Sequence, residues 1–166
     1  MKLNLSGKFL LMIAVVLAVG LSAFVAMSQH LDSQQSVNQD ANKAVLKRLE
    51  EIQAAAESLD PDKVFSFVLE NDSGALIQNG KLFLTRSEAL DATKQGFQNL
   101  KKVEYHFNQQ HVTLLSPTIA LAVGEGTSSI TTEDDRSFNR QFAQTVVLLL
   151  TNGEWKVLHA HRSFPP

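Results

Sequence analysis

The sequence predicts an α+β domain, with helices packed on one face of a curved antiparallel sheet. Three observations predict it. Helical periodicity fills the first half, where Val45, Leu49, Ile52, Ala56 and Leu59 recur every three or four residues as one apolar stripe. β-rich runs fill the second half: Val103–Leu115, Ile119–Thr132 and Ser137–Thr151. Short turns alone separate those runs, so neighbours must be antiparallel, because a parallel pair needs a long crossover. Helices first and strands afterwards is the α+β pattern, not the alternation of α/β chains.

The elements follow in order. Lys2 and Lys8 precede an uninterrupted apolar run, Phe9–Met27. This is either a secretory signal peptide or a membrane anchor. Ala26-Met27-Ser28 and Ala18-Val19-Gly20 place small residues where a signal peptidase reads them, yet the run is close to membrane-spanning length. The lysines come first, so the N-terminus stays in the cytoplasm. Both readings put the remainder outside the cytoplasm, periplasmic or secreted, tethered to the inner membrane if the segment is retained. Residues 1–28 are therefore a leader or anchor. Residues 29–42, rich in Gln, Ser and Asn, are a polar linker that cannot build a core, and His30 within it is given no role. The domain proper is 43–166.

Asp60-Pro61 ends the first helix and starts a second. Asp60 can cap it, and Pro61 suits a first turn whose N–H would be unpaired anyway. Val64, Phe65, Val68 and Leu69 form its buried side. Ala75–Ile77 and Leu82–Leu84 flank Asn79-Gly80, a pair that tolerates positive φ and signals a hairpin. Thr85-Arg86-Ser87-Glu88 is a capping box opening a third helix, whose stripe is Leu90, Thr93, Phe97 and Leu100. Ser116-Pro117, the Thr132–Asp135 cluster and Asn152-Gly153 then separate four strands, the last running Trp155–Arg162.

Composition narrows the function classes. Hydrophobic residues make up 44% and charged residues 19%, which is globular. A net charge of -2 with no basic face gives nucleic acid no footprint. With no cysteine, disulfides, thiolate metal sites and cysteine nucleophiles are excluded.

Several motifs together resemble the nuclear-transport-factor-2-like superfamily, and within it the SnoaL-like group often filed as DUF4440. They are Leu59-Asp60-Pro61-Asp62 between the first two helices, the Asn79-Gly80-Lys81 hairpin, and Leu114-Leu115-Ser116-Pro117. The most specific is the ending Asn152-Gly153-Glu154-Trp155-Lys156-Val157-Leu158-His159-Ala160-His161-Arg162-Ser163. The resemblance spans about Lys43 to Pro166. It implies a cone: a bent antiparallel sheet with three helices packed on its concave face, often enclosing a cavity. Members include isomerases, cyclases, dehydratases and non-enzymatic assembly domains, many of them homodimers through the outer sheet face. The ending is also similar to the association domain of calmodulin-dependent kinases, where the residue after His-x-His is often a pocket arginine. That carries over to Arg162 alone. Two further pocket arginines of that domain fall near Gly126 and Val146, so its anionic-ligand site is not reproduced.

Strand alternation then assigns faces. An inward Arg162 makes Leu158 and Ala160 core and turns Trp155, Val157, His159 and His161 outward, unless a bulge shifts the phase. The resemblance places Arg140, Phe142, Gln144, Val146 and Leu148 inward. Gly124 and Gly126 share a face, and either leave room for a ligand or relieve strain where the sheet bends.

His159 and His161 have a spacing that can serve zinc, but zinc needs three or four ligands and only His106 and His111 remain in the domain. No metal and no cofactor are expected. Acid–base chemistry needs a carboxylate or histidine inside the cone. Of Glu70, Asp72, Glu104, Glu133, Asp134 and Asp135 most lie at helix ends or turns, and Glu125 points outward in the phase chosen above. His106, between Tyr105 and Phe107, is the best single candidate base, against the plainer reading of a structural histidine. For binding, Phe65, Phe67, Leu82 and Phe142 are expected to line an apolar cavity, with Arg140, Gln144 and Arg162 as its polar groups. The plainer reading is core packing, but an inward arginine requires an acidic partner or an anionic ligand.

The leading expectation is an extracytoplasmic, non-catalytic, homodimeric pocket protein for a small organic molecule. It touches membrane only through the N-terminal segment, if that is uncleaved. The alternatives are a small isomerase, cyclase or dehydratase using His106 or a histidine of the last strand, and a purely structural dimerisation module.

Overall fold

A computed structural model of the chain describes residues 36–70 and 74–165. The leader, most of the expected linker with His30, and Asp72 lie outside the described residues. No helix among the described residues is long and apolar enough to cross a membrane. The chain divides into two compact units, Met1–Asp40 and Ala41–Pro166. Of the first, residues 36–40 are helical and exposed, so helix enters the stretch expected to be a linker.

Helix α1 covers residues 36–57. Its stripe buries Val45, Leu49 and Ala55, and Ile52 packs beside them. Leu59 does not extend the stripe. Its φ is 54°, and the Leu59 and Asp60 amides close the helix on the Ala56 and Ala55 carbonyls. That is a Schellman stop, a role glycine fills more cheaply. Helix α2, Pro61–Ser66, starts as expected: Asp60 accepts the Lys63 amide at 2.9 Å and Pro61 occupies the first turn. Strands β1 (Leu76–Gln78) and β2 (Lys81–Phe83) turn through Asn79 and Gly80, both at positive φ. Helix α3, Arg86–Phe97, carries the full capping box between Thr85 and Glu88.

Four long strands follow: β3 (Leu100–Ser116), β4 (Ile119–Thr132), β5 (Ser137–Thr151) and β6 (Glu154–Ser163). They form the expected antiparallel meander. The β4–β5 turn is tied by Asp134, whose carboxyl is held below its ordinary pKa by the Thr132 hydroxyl and by Arg136. The β1–β2 hairpin joins the same sheet, with β1 parallel to β6, giving the order β2-β1-β6-β5-β4-β3. The architecture is α+β, a curved and unclosed six-stranded sheet with helices against it. One end is filled by a core in which Val45 and Leu49 of α1 meet Ala120, Ala122, Leu148, Trp155 and Val157 of the sheet.

Two bulges set which side chains face that core. On β3 the pairing jumps between Phe107 and Gln109, so Asn108 is extra. Tyr105 and Phe107 face inward before the bulge, and Val112 and Leu114 pack inward after it. On β6, Val157 pairs with Leu148 but His159 with Val147, so Leu158 is extra. Trp155 and Val157 are therefore buried core, 5% exposed each, not outward residues. Leu158 takes the bulge instead of a core position, and Ala160 and Arg162 return to the inner face. An added residue reverses every later side chain, because the strand period is two.

Gly126 and Gly124 lie opposite the β3 bulge and leave no ligand space. A Cβ on Gly126 would collide with the His106 carbonyl, and one on Gly124 would lie 3.0 Å from the Gln109 oxygen. They permit close backbone approach at the bend.

The open edge of β3 is closed by side chains of α1. Tyr105 donates its amide to Glu57 Oε1 at 2.8 Å, and its carbonyl accepts Gln53 Nε2 at 3.0 Å. Gln53 also donates to Glu57 at 2.9 Å. The two side chains thus act as a missing strand for one residue. Two expectations follow, both checked by denaturant unfolding. Glu57→Ala leaves the Tyr105 amide unpaired and costs about 1–3 kcal/mol, whereas Glu57→Gln, which keeps an acceptor, costs less. Gly126→Ala costs about 1–3 kcal/mol through overpacking against backbone, while Gly96→Ala, with open space around it on α3, is neutral or stabilising.

Candidate functional site

The end of the cone not filled by core holds a cavity of about 550 Å³. Ile52, Ala56, Val64, Phe65 and Phe97 supply its helical wall, and Val103, Ile130, Val146 and Ala160 much of its sheet wall. The polar groups are ordered. Pairing aligns Gln110 of β3, Gly124 of β4, Gln144 of β5, Arg162 of β6 and Gln78 of β1 in one row across the sheet. The side chains of this row, three glutamines and one arginine, all line the cavity. Along the sheet, Val146 and Ala160 line the cavity on one side of the row, and Phe107, Tyr105 and Phe164 on the other.

Arg162 is the centre of the row. Its Nη2 donates to Gln144 Oε1 at 2.7 Å. Its guanidinium carbon lies 4.8 Å from the ring centroids of both Tyr105 and Phe142. Those rings stand nearly edge to face, 6.0 Å apart, and make a corner that holds the cation by its planar face. Among the described residues no carboxylate pairs with Arg162, and no Asp or Glu lines the cavity. Glu57, on the neighbouring helix, is committed to the Tyr105 backbone.

The other expected site residues separate. Gln144 joins Arg162 directly. Arg140 is exposed, at the rim, with its guanidinium 3.8 Å from the centre of the Phe164 ring. Phe142 faces inward but lies behind Arg162 and against Phe107, so it supports the wall without being its surface. Phe67 is not brought to the cavity. It caps α2 and packs under the Arg48 guanidinium at 4.8 Å. Leu82 is 51% exposed on the β2 edge and lies outside the lining. His106 is exposed on the face of β3 opposite Tyr105 and Phe107, outside the lining, because its alternation is fixed before the bulge. Of the last-strand histidines, His159 Nδ1 lies 2.7 Å from the Gly74 carbonyl, while His161 borders the cavity but alternates with the inward Arg162 and is exposed on the opposite face of β6. No group of three metal-ligating side chains occurs among the described residues. Tyr105, Gln110, Gln78 and Phe164 were not expected as site residues. The first two need the β3 bulge to be known, and the third needs the β1–β6 pairing.

The fold is shared with solved structures. A candidate scytalone dehydratase from Novosphingobium aromaticivorans superposes with a TM-score of 0.72 at 10% identity, covering 80% of this chain and 89% of that one. A candidate dehydratase of the nuclear-transport-factor-2-like family from Streptomyces avermitilis gives 0.69 at 15% identity, covering 78% and 99%. A candidate calcium/calmodulin dependent protein kinase II association domain from Xanthomonas campestris gives 0.65 at 21% identity, covering 74% and 86%. At such identities the likeness is one of fold. No protein among the curated sequences matches the chain. The family model for the SnoaL-like domain matches residues 45–166, from the first buried residue of α1 to the chain end, and the chain belongs to that family.

Proposed function

We propose that this chain is a non-catalytic pocket protein, exported and homodimeric, that holds a small amphipathic organic acid. One observation carries the binding reading: a guanidinium inside a mostly apolar cavity whose lining contains no carboxylate. A half-buried cation without an acidic partner favours an anion from outside. The apolar walls favour a carbon skeleton attached to that anion. Export is supported by Lys2, Lys8 and the apolar run Phe9–Met27. Dimerisation is supported by the outer sheet face, where Leu121 and Val147 are half-buried and Val123 is 40% exposed. A second copy would cover them.

A second reading has one supporting observation. Solved structures described as dehydratases share this fold, and His161, which borders the cavity, is the residue such a reaction would call on to move a proton.

Native mass spectrometry of the full chain from cell envelopes tests the first reading. The expected result is a dimer carrying a small acid. Arg162→Ala should lose that mass and weaken rebinding by about tenfold or more, with the fold intact. A lower unfolding midpoint for Arg162→Ala, with rebinding by the folded fraction unchanged, would make the arginine structural. Returning the released molecule to the apo-protein separates the two readings. Unchanged recovery over hours fits a carrier. Conversion that His161→Ala abolishes, with binding kept, fits the enzyme.

A further inference from the structure

This inference rests on the binding reading above and names the group that sets the ligand class. We propose that Gln144 is a hydrogen-bond donor of fixed polarity which, together with Arg162, forms an oxyanion subsite selecting carboxylates over alcohols and amines of equal size.

Arginine donates and never accepts. The Gln144 atom 2.7 Å from Arg162 Nη2 is therefore the amide oxygen. A glutamine side chain is often ambiguous end for end, but here its neighbour decides. With the oxygen engaged, Nε2 is the free end, and the Gln144 side chain has no other hydrogen bond. The next position in the row, Gly124, adds no side chain to compete for it. Gln110 and Gln78 have no such lock, so either end of each can turn toward a ligand and neither fixes a charge preference.

Two donors side by side, one cationic and one neutral, match the two oxygens of a carboxylate. One oxygen takes a guanidinium N–H and the other takes the Gln144 amide N–H. An alcohol offers a single uncharged oxygen, so it cannot set a separate acceptor on each donor or balance the guanidinium charge. An ammonium meets donors and a positive charge, and the pair's one acceptor, Gln144 Oε1, is turned to Arg162. Aliphatic and aromatic side chains line the cavity on both sides of the row, so the acid group sits beside the sheet and its skeleton extends along the apolar walls.

The test is Gln144→Glu, nearly the same shape but with a built-in carboxylate that neutralises Arg162 and removes the free donor. Calorimetric titration of the full chain with phenylbutyrate and with phenylbutanol reads acid against alcohol on one skeleton. The wild type should favour the acid by about tenfold or more. Gln144→Glu should lose acid affinity by about a hundredfold while alcohol affinity moves less than about threefold. Gln144→Met, which folds without a new charge, should reduce the acid preference about tenfold. An unchanged acid preference in both variants overturns the proposal, as does equal loss of acid and alcohol. Equal wild-type affinity for the two compounds also overturns it and leaves the pocket reading standing. If the wild type binds neither compound, the pocket reading falls and this inference with it.

Discussion

The backbone of Tyr105 has no strand partner on its outer side, and the rest of the cone depends on how that gap is closed. β3 is the sheet's last strand, so its outward N–H and C=O would otherwise be free to pair with another chain. Glu57 and Gln53 take both groups and so fix α1 to the sheet edge. Position follows from this seam. Held there, α1 sends Val45 and Leu49 into the core and Ile52 and Ala56 onto the cavity wall. The residue whose backbone is clamped also presents the ring against which Arg162 lies. Closure of the fold and formation of the site thus meet at one residue.

What could be read from the sequence was local chemistry. Asp60-Pro61, Thr85 with Glu88, Asn79-Gly80 and Asn152-Gly153 each specify a cap or a turn within a few residues, and each does so here. The meander followed from turn length alone. The parallel pairing of β1 with β6 was hidden, because it joins segments more than eighty residues apart that carry no mark of each other. The bulges at Asn108 and Leu158 were hidden as well. Nothing distinguishes either residue from its neighbours, and the extra residue is set by where the sheet must bend to stay on the helices.

The site was legible to the same degree. Alternation along β5 placed Arg140, Phe142 and Gln144 on one face, since no bulge interrupts them. Arg162 also lies inward, but for a different reason from the one alternation suggested. Counting from an outward Trp155 and counting from an inward Trp155 through a bulge give the same answer at Arg162 and opposite answers at Val157 and Leu158. Phe67 shows the limit on the helical side. It belongs to the right segment, but as the cap residue of a six-residue helix it lies beyond the buried side and packs on Arg48 instead.

The distribution of charge gives the cavity its character. Near it, carboxylates are committed elsewhere: Glu57 to backbone, Glu70 to Arg86, Asp62 to Lys94. Arg162 is held by two ring faces and one amide oxygen, contacts that orient a guanidinium without neutralising it. Had a glutamate stood at Gln144, the same geometry would be a closed ion pair and the cavity would have little reason to take an acid. Acid–base catalysis asks for the opposite arrangement, a proton-exchanging group inside the cavity; among the described residues no carboxylate lines it, and the bordering His161 alternates with Arg162 onto the other face of β6. An arginine oriented but left without a counter-charge suits holding an anion more than transforming one.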